Sequence, residues 1–137
     1  MTSALKGRLM QVFRHREARP QRDERDIFTG VVESQGLVGE ALGSQVFLTL
    51  VRFSAGGRTK WHSHSFDQGL VITEGRGVVA TELEENVVEP GDVVYVAPHE
   101  KHWHGGTEST AMAHIAINQP GETTVLEPVE RLRNPNP

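Results

Sequence analysis

The stretch Trp61-His62-Ser63-His64-Ser65-Phe66-Asp67-Gln68 decides the reading of this chain. Two histidines stand one residue apart, and an amide follows four residues after the second. On an extended strand, residues i and i+2 share a face, so His62 and His64 can look at one ion together. A further ligand is offered about forty residues on, in Pro98-His99-Glu100-Lys101-His102-Trp103-His104. Alone, a His-x-His pair is more often two solvent-exposed strand residues. The spacing of the surrounding residues is what turns it into a candidate metal cluster of His62, His64 and Gln68, with a fourth ligand from that second stretch.

Working outward, 137 residues suffice for one domain with its own core. Hydrophobic residues make up 36% and charged residues 23%, ordinary for a globular protein. With no cysteine there is no disulfide, no thiolate ligand and no cysteine nucleophile, so a metal must be held by nitrogen and oxygen. The net charge of -4 argues against nucleic acid as the partner. No apolar run approaches the roughly 18 residues of a membrane span, and the N-terminal residues lack the apolar core of a signal peptide. A cytoplasmic enzyme or binder of a small molecule is expected.

The texture between the ends is that of a β protein. Residues 46–53, 69–74, 77–81, 93–96 and 111–117 are short and rich in β-branched side chains. Turn signals separate them at Ala55-Gly56-Gly57, Glu74-Gly75-Arg76-Gly77, Glu89-Pro90-Gly91-Asp92 and Gly105-Gly106. This spacing predicts an all-β sandwich or jelly-roll barrel over residues 26–126. Residues 1–25 form an arginine-rich polar arm that includes His15, expected as a solvated arm or an edge strand lying over a second subunit. Residues 127–137 are expected as a loose tail. Short helical turns are expected near 36–45 and 127–133.

Here the sequence resembles a known family. The first cupin motif runs G, five residues, HxH, three or four residues, an acid, six residues, G. The chain has Gly56, His62, His64, Gln68 and Gly75 at those places, with glutamine where glutamate is usual. The second motif runs G, five residues, PxG, two residues, H, three residues, N. The chain has Gly91, then Ala97-Pro98-His99, then His102 in the expected position. Its departures are Ala97 for proline, His99 for glycine and Gly106 for asparagine. Fifteen residues, 76 to 90, separate the motifs. A narrower resemblance, to the small manganese cupins that include bacterial hydroxynitrile lyases, rests on Gln68 and on two further histidines. It implies a cupin-type jelly-roll barrel with metal ligands at His62, His64, Gln68 and His102. It also implies pocket histidines at His104 and His114, and a site role for Thr59.

The chemistry can be read beside that resemblance. Three neutral imidazoles and one neutral amide leave the charge of a divalent ion uncompensated, which strengthens it as a Lewis acid. The ligand set suits manganese, iron, nickel or zinc, and the resemblance implies manganese among them. His104 follows His102 by two residues and shares its face; a histidine near neutral pKa serves as general acid or base. Trp61 and Trp103 point the other way, into packing; His99 is expected on an exposed turn and Lys60 exposed. Three functions are weighed. The favoured one is a metal-dependent lyase acting on a small hydroxynitrile or related hydroxy or carbonyl compound. The alternatives are an Fe(II)-dependent dioxygenase and a non-catalytic binding cupin. A homodimer or higher homo-oligomer is expected as the assembly.

Overall fold

A computed structural model describes residues 10–14 and 19–130. Thirteen strands are found there, all paired antiparallel. The first five are β1 (Gln21–Arg22), β2 (Phe28–Thr29), β3 (Val32–Val38), β4 (Phe47–Phe53) and β5 (Arg58–Thr59). Then come β6 (His62–His64), β7 (Gln68–Gly75), β8 (Gly77–Thr81) and β9 (Glu85–Val88). The last are β10 (Val93–Val96), β11 (His102–Gly106), β12 (Met112–Asn118) and β13 (Thr123–Val125). One sheet has the order β1-β3-β4-β12-β7-β10. The other runs β13-β6-β11-β5-β2, with β8 joined to β11 and β9 to β8. The two curl around one core as a jelly-roll barrel, the all-β fold expected. No helix of the described residues is long and apolar enough to cross a membrane.

Alternation along the strands builds that core. Val51, Phe53, Leu70, Ile72, Val79, Val88, Met112, Ala116 and Val32 close on one another from both sheets. Phe53 is 1% exposed and lies edge-on or tilted against the rings of His104 and His114, so apolar packing floors the histidine pocket. A second cluster forms on the outer side of β8 and β11, where Val78, Ala80 and Trp103 meet Val129, with Trp61 alongside. Both faces of β8 and β11 are therefore covered, and β11 is buried along its whole length. Trp103 packs as its parity predicts.

Several expectations shift. The turn near 36–45 is a short 3-10 segment, Glu40–Leu42. Residues 127–130 are not helical. They are tied down in extended form by Trp61 N–H to Glu127 O at 3.0 Å, Arg58 Nη2 to Val129 O at 3.0 Å, and a Lys101–Glu127 ion pair. Residues 131–137, with His15 and much of the basic arm, lie outside the described residues. Ahead of residue 26, β1 adds to the edge of its own chain's sheet through β3. Lys60 is half-buried rather than exposed, because its Nζ pairs with Asp26 Oδ1 at 2.8 Å.

Backbone constraints fall where the two motifs bend. Gly56, Gly75 and Gly91 all have positive φ, at 81°, 74° and 99°. His99 takes the left-handed form too, with φ of 64°, although it stands where the motif has glycine. Its reward is a hydrogen bond: His99 N–H donates to the His64 carbonyl at 2.7 Å, lashing the second motif to the first. The exposed His99 side chain gains nothing visible from this conformation. Left-handed backbone costs a residue with a Cβ about 1–2 kcal/mol. Partly offset by glycine's greater unfolded entropy, His99→Gly should stabilise by roughly 0.5–1 kcal/mol, seen as a raised Tm. Gly105 is the opposite case. A Cβ there would sit 2.5 Å from Arg58 Cβ and from Gly57 O, one of them backbone that cannot yield. Gly105→Ala should cost about 1–3 kcal/mol, whereas Gly39→Ala, with open space around it, should stay within about 0.5 kcal/mol.

Candidate metal centre

The site is assembled by strand register. His62 and His64 face inward from β6, and β6 meets β11 through the His62–His102 bridge. His102 and His104 share the inner face of β11, their rings stacked at 5.6 Å. Gln68 opens β7 from the other sheet, and His114 comes inward from β12. Thr59 sits on β5. All seven predicted site residues are buried, from 0% exposed for His102 and His114 to 5% for His64 and His104.

Three of them form a tight group. One ring nitrogen from each of His62, His64 and His102 lies within 4.8 Å of the others. Their outer nitrogens are already taken. His62 Nδ1 donates to Lys60 O and His102 Nδ1 to Glu100 O, each at 2.8 Å. His64 Nδ1 bonds Thr123 Oγ1, also at 2.8 Å. A carbonyl can only accept, so His62 and His102 must carry their protons on Nδ1 and turn bare Nε2 lone pairs inward. His64 Nε2 is buried with no hydrogen-bond partner. Gln68 Oε1 lies 3.3 Å from His102 Nε2, lone pair toward lone pair, while Gln68 Nε2 donates to Asn118 Oδ1 at 2.8 Å. Converging acceptors without a proton between them fit a cation. The donor set, three imidazoles and one amide oxygen, suits a divalent transition metal and carries no charge of its own.

Electrostatics keep the imidazoles neutral. Burial, then the neighbouring His102, pushes His62 down to about 3 from its ordinary 6.5. The same two causes bring His64 to about 4. His102 is also lowered, chiefly by burial. Neutral imidazole is the form that ligates a metal.

His104 and His114 make a second unit. His114 Nε2 and His104 Nδ1 are 2.9 Å apart in a hydrogen bond, and the two remaining nitrogens, His104 Nε2 and His114 Nδ1, are buried without partners. Burial brings His114 to about 4, and burial followed by the nearby His114 holds His104 well below the ordinary range. The His104 backbone N–H donates to Thr59 Oγ1 at 3.1 Å. Both histidines, Thr59, His62, His64 and Gln68 open on one cavity of about 340 Å³. Its walls are apolar at Ile27, Phe28, Val51, Ala116 and Val125 and polar at Thr49, Asn118 and Thr123. Arg25 and Asp26 stand among its lining residues, the former in an ion pair with Asp23 at 2.7 Å. Sequence reasoning passed over Asn118 and Thr123. Only a polar side chain at the end of the apolar strand β12 could have marked Asn118, and Thr123, opening the Thr-Thr-Val strand β13, had no such signal.

Comparison with known proteins agrees with this geometry. The chain is 42% identical over 97 residues to an (R)-mandelonitrile lyase of Granulicella tundricola, covering 69% of this chain and 72% of that one. A cupin-like protein from Thermotoga maritima superposes with a TM-score of 0.81 at 29% identity, over 87% of this chain and 97% of that one. The polyketide cyclase RemF from Streptomyces resistomycificus shares the fold, with a TM-score of 0.74 at 16% identity over 93% and 90% of the two chains. A family model described as Cupin_2, the cupin domain, matches residues 49–118, a span that opens in β4, closes at the last residue of β12 and holds the whole histidine cluster. The chain belongs to the cupin family.

Proposed function

We propose that this chain is a metal-dependent lyase, acting in the cytoplasm, that breaks or forms the C–C bond between cyanide and the carbonyl carbon of a small aldehyde. Mandelonitrile is the model substrate. The observation that carries this reading is a neutral, hydrogen-bonded histidine pair beside an uncharged ligand set in one largely apolar cavity. The 42% identical relative that is named a mandelonitrile lyase supports it. His62, His64, Gln68 and His102 would hold the ion, for which we propose manganese. A divalent ion there supplies Lewis acidity at the substrate oxygen, undiminished by any ligand charge.

The remaining work belongs to the chain. Two neutral imidazoles joined by one hydrogen bond hold two protons. One lies in the bond, and the other sits on an outer nitrogen, so one outer nitrogen is a base and the other an acid. The base takes the hydroxyl proton of the hydroxynitrile as the C–C electron pair leaves with cyanide. The acid returns a proton to the cyanide, and a shift of the proton within the His104–His114 bond leaves both rings neutral with the acid and base nitrogens exchanged; proton exchange of the outer nitrogens with water resets the pair. Thr59, accepting from the His104 backbone N–H, ties down the strand that carries that ring and keeps its own hydroxyl proton for a ligand oxygen. Apolar walls take the organic group and exclude competing water.

Manganese-loaded protein should release cyanide from mandelonitrile, followed by benzaldehyde absorbance, and metal-stripped protein should not. His104→Ala and His114→Ala should each lower kcat by about a hundredfold or more with the metal retained. No cyanide above the metal-stripped background, or full rates in both variants, would refute the lyase. Oxygen uptake with a catechol or β-diketone would favour a dioxygenase instead. We also propose a homodimer, which a monomer mass in size-exclusion chromatography would contradict.

The histidine cluster also sets a stability profile. His62, His64 and His114 have folded pKa values of about 3, 4 and 4, below the ordinary 6.5 of the unfolded chain. On acidification the unfolded chain takes protons first, so stability is full above about 6.5 and falls as pH drops toward the folded values. Each such histidine contributes up to about 1.4 kcal/mol per pH unit in that window. Metal-stripped protein should therefore hold its Tm from about pH 7.5 to 6.5 and lose it steeply toward about pH 5. A flat profile across that range would contradict the neutral cluster.

A further inference from the structure

Gln68 is a member of the ligand group that can present the wrong atom. A histidine fixed through Nδ1 has only Nε2 to offer, but a carboxamide can turn either oxygen or N–H₂ toward the cluster. With N–H inward, Gln68 would donate to the bare His102 Nε2, the acceptor its oxygen now faces at 3.3 Å. That bond would cap the lone pair an ion needs. Something outside the cluster must therefore hold the Gln68 N–H, and the structure shows what does. Gln68 Nε2 donates to Asn118 Oδ1 at 2.8 Å. Asn118 is the last residue of β12, one step beyond the bridge between Ile117 and Gly69, so sheet register delivers it beside Gln68. It is half-buried, pairs with Phe47 on its other side, and lines the cavity without belonging to the apolar core.

We propose that Asn118 is a positioning residue for the metal centre: by accepting from Gln68 it keeps the amide oxygen turned to the ion. This rests on Gln68 being a ligand, and on nothing about the reaction catalysed. His62 and His102 have main-chain carbonyls in the corresponding role, which no substitution removes. Gln68 depends on a side chain, so its orientation is open to replacement. Asn118→Asp supplies an acceptor that cannot flip to become a donor. Asn118→Leu keeps the branched heavy-atom skeleton, is somewhat bulkier and has no acceptor.

The test is metal affinity, measured with Mn(II) and Zn(II) in competition with a chelating dye, together with the Tm of the metal-stripped protein. Asn118→Leu should weaken binding about tenfold at an unchanged metal-stripped Tm, and Asn118→Asp should bind at least as tightly as the parent. Asn118→Leu binding as tightly as the parent would overturn the inference. So would Asn118→Asp losing as much affinity as Asn118→Leu, since that would mark a packing role. Gln68→Ala separates the two levels. If it leaves affinity intact, Gln68 is no ligand and the inference falls with it; if it weakens binding while Asn118→Leu does not, only the role of Asn118 falls.

Discussion

The bridge between His62 on β6 and His102 on β11 is the contact on which the rest of the site depends. It brings the two sequence motifs together and sets their ring centroids 4.1 Å apart. Two-residue periodicity then places His64 and His104 on the same inner face without further instruction. A slip of one residue in either strand would turn that strand's imidazoles outward and break up the group. The register is protected from both sides. On one side β8 pairs with all five residues of β11. On the other, Gly105 lets the β5 backbone approach closer than any side chain would allow. The His99 N–H to His64 carbonyl bond adds a third tie, strong enough to hold a non-glycine residue in left-handed conformation.

Once the register is set, partners decide what each histidine does. His102 and His104 are two residues apart on one strand, share a face and are both buried. His102 gives its Nδ1 proton to a main-chain carbonyl, which fixes the tautomer and leaves one lone pair pointing inward. His104 gives its Nδ1 to another histidine, whose tautomer is equally free. The first arrangement makes a ligand with one available state. The second makes a pair in which a proton can sit on either ring at little cost. Burial alone would not separate these roles, because it lowers all five imidazoles together.

Much of this was legible in the sequence. The ligand spacing from Gly56 through Gly75 and the return at His102 both appear in the fold, because motif glycines mark bends and His-x-His marks a face. The strands with β-branched, alternating residues were also found, at 47–53, 68–75, 77–81, 93–96 and 112–118. What stayed hidden had no local signal. β1 and β2 are two residues each, and β3 buries Gln35 while carrying Gly36, so neither length nor alternation announces them. The short ends at Glu85–Val88 and Thr123–Val125 are strands only because β8 and β6 lie beside them. Val129 is buried because Trp103 needs a cover, a tertiary demand that a Pro-rich tail does not reveal. Asn118 and Thr123 were passed over for the same reason, since their importance lies in which ring or amide they touch.

The cluster also explains why this barrel and a metal ion should be coupled energetically. Apolar packing on Phe53, Leu70 and Ile72 closes the barrel whether or not the acceptors inside it are satisfied. The fold thus holds His64 Nε2 without a partner and sets Gln68 Oε1 against His102 Nε2. An unsatisfied buried polar atom costs about 1–3 kcal/mol, and protonation is a poor remedy because burial penalises the charged imidazole. A divalent ion held there would relieve several such costs at once, and the unfolded chain, lacking the converged geometry, would gain little from it. Binding energy therefore appears as folding energy. The neutral ligand set makes this relief smaller than a carboxylate in place of Gln68 would, because the ion's charge stays uncompensated. On the proposed reading, weaker holding and stronger Lewis acidity would have one origin, the amide at 68, so its orientation would matter more here than in a cupin with glutamate at that position.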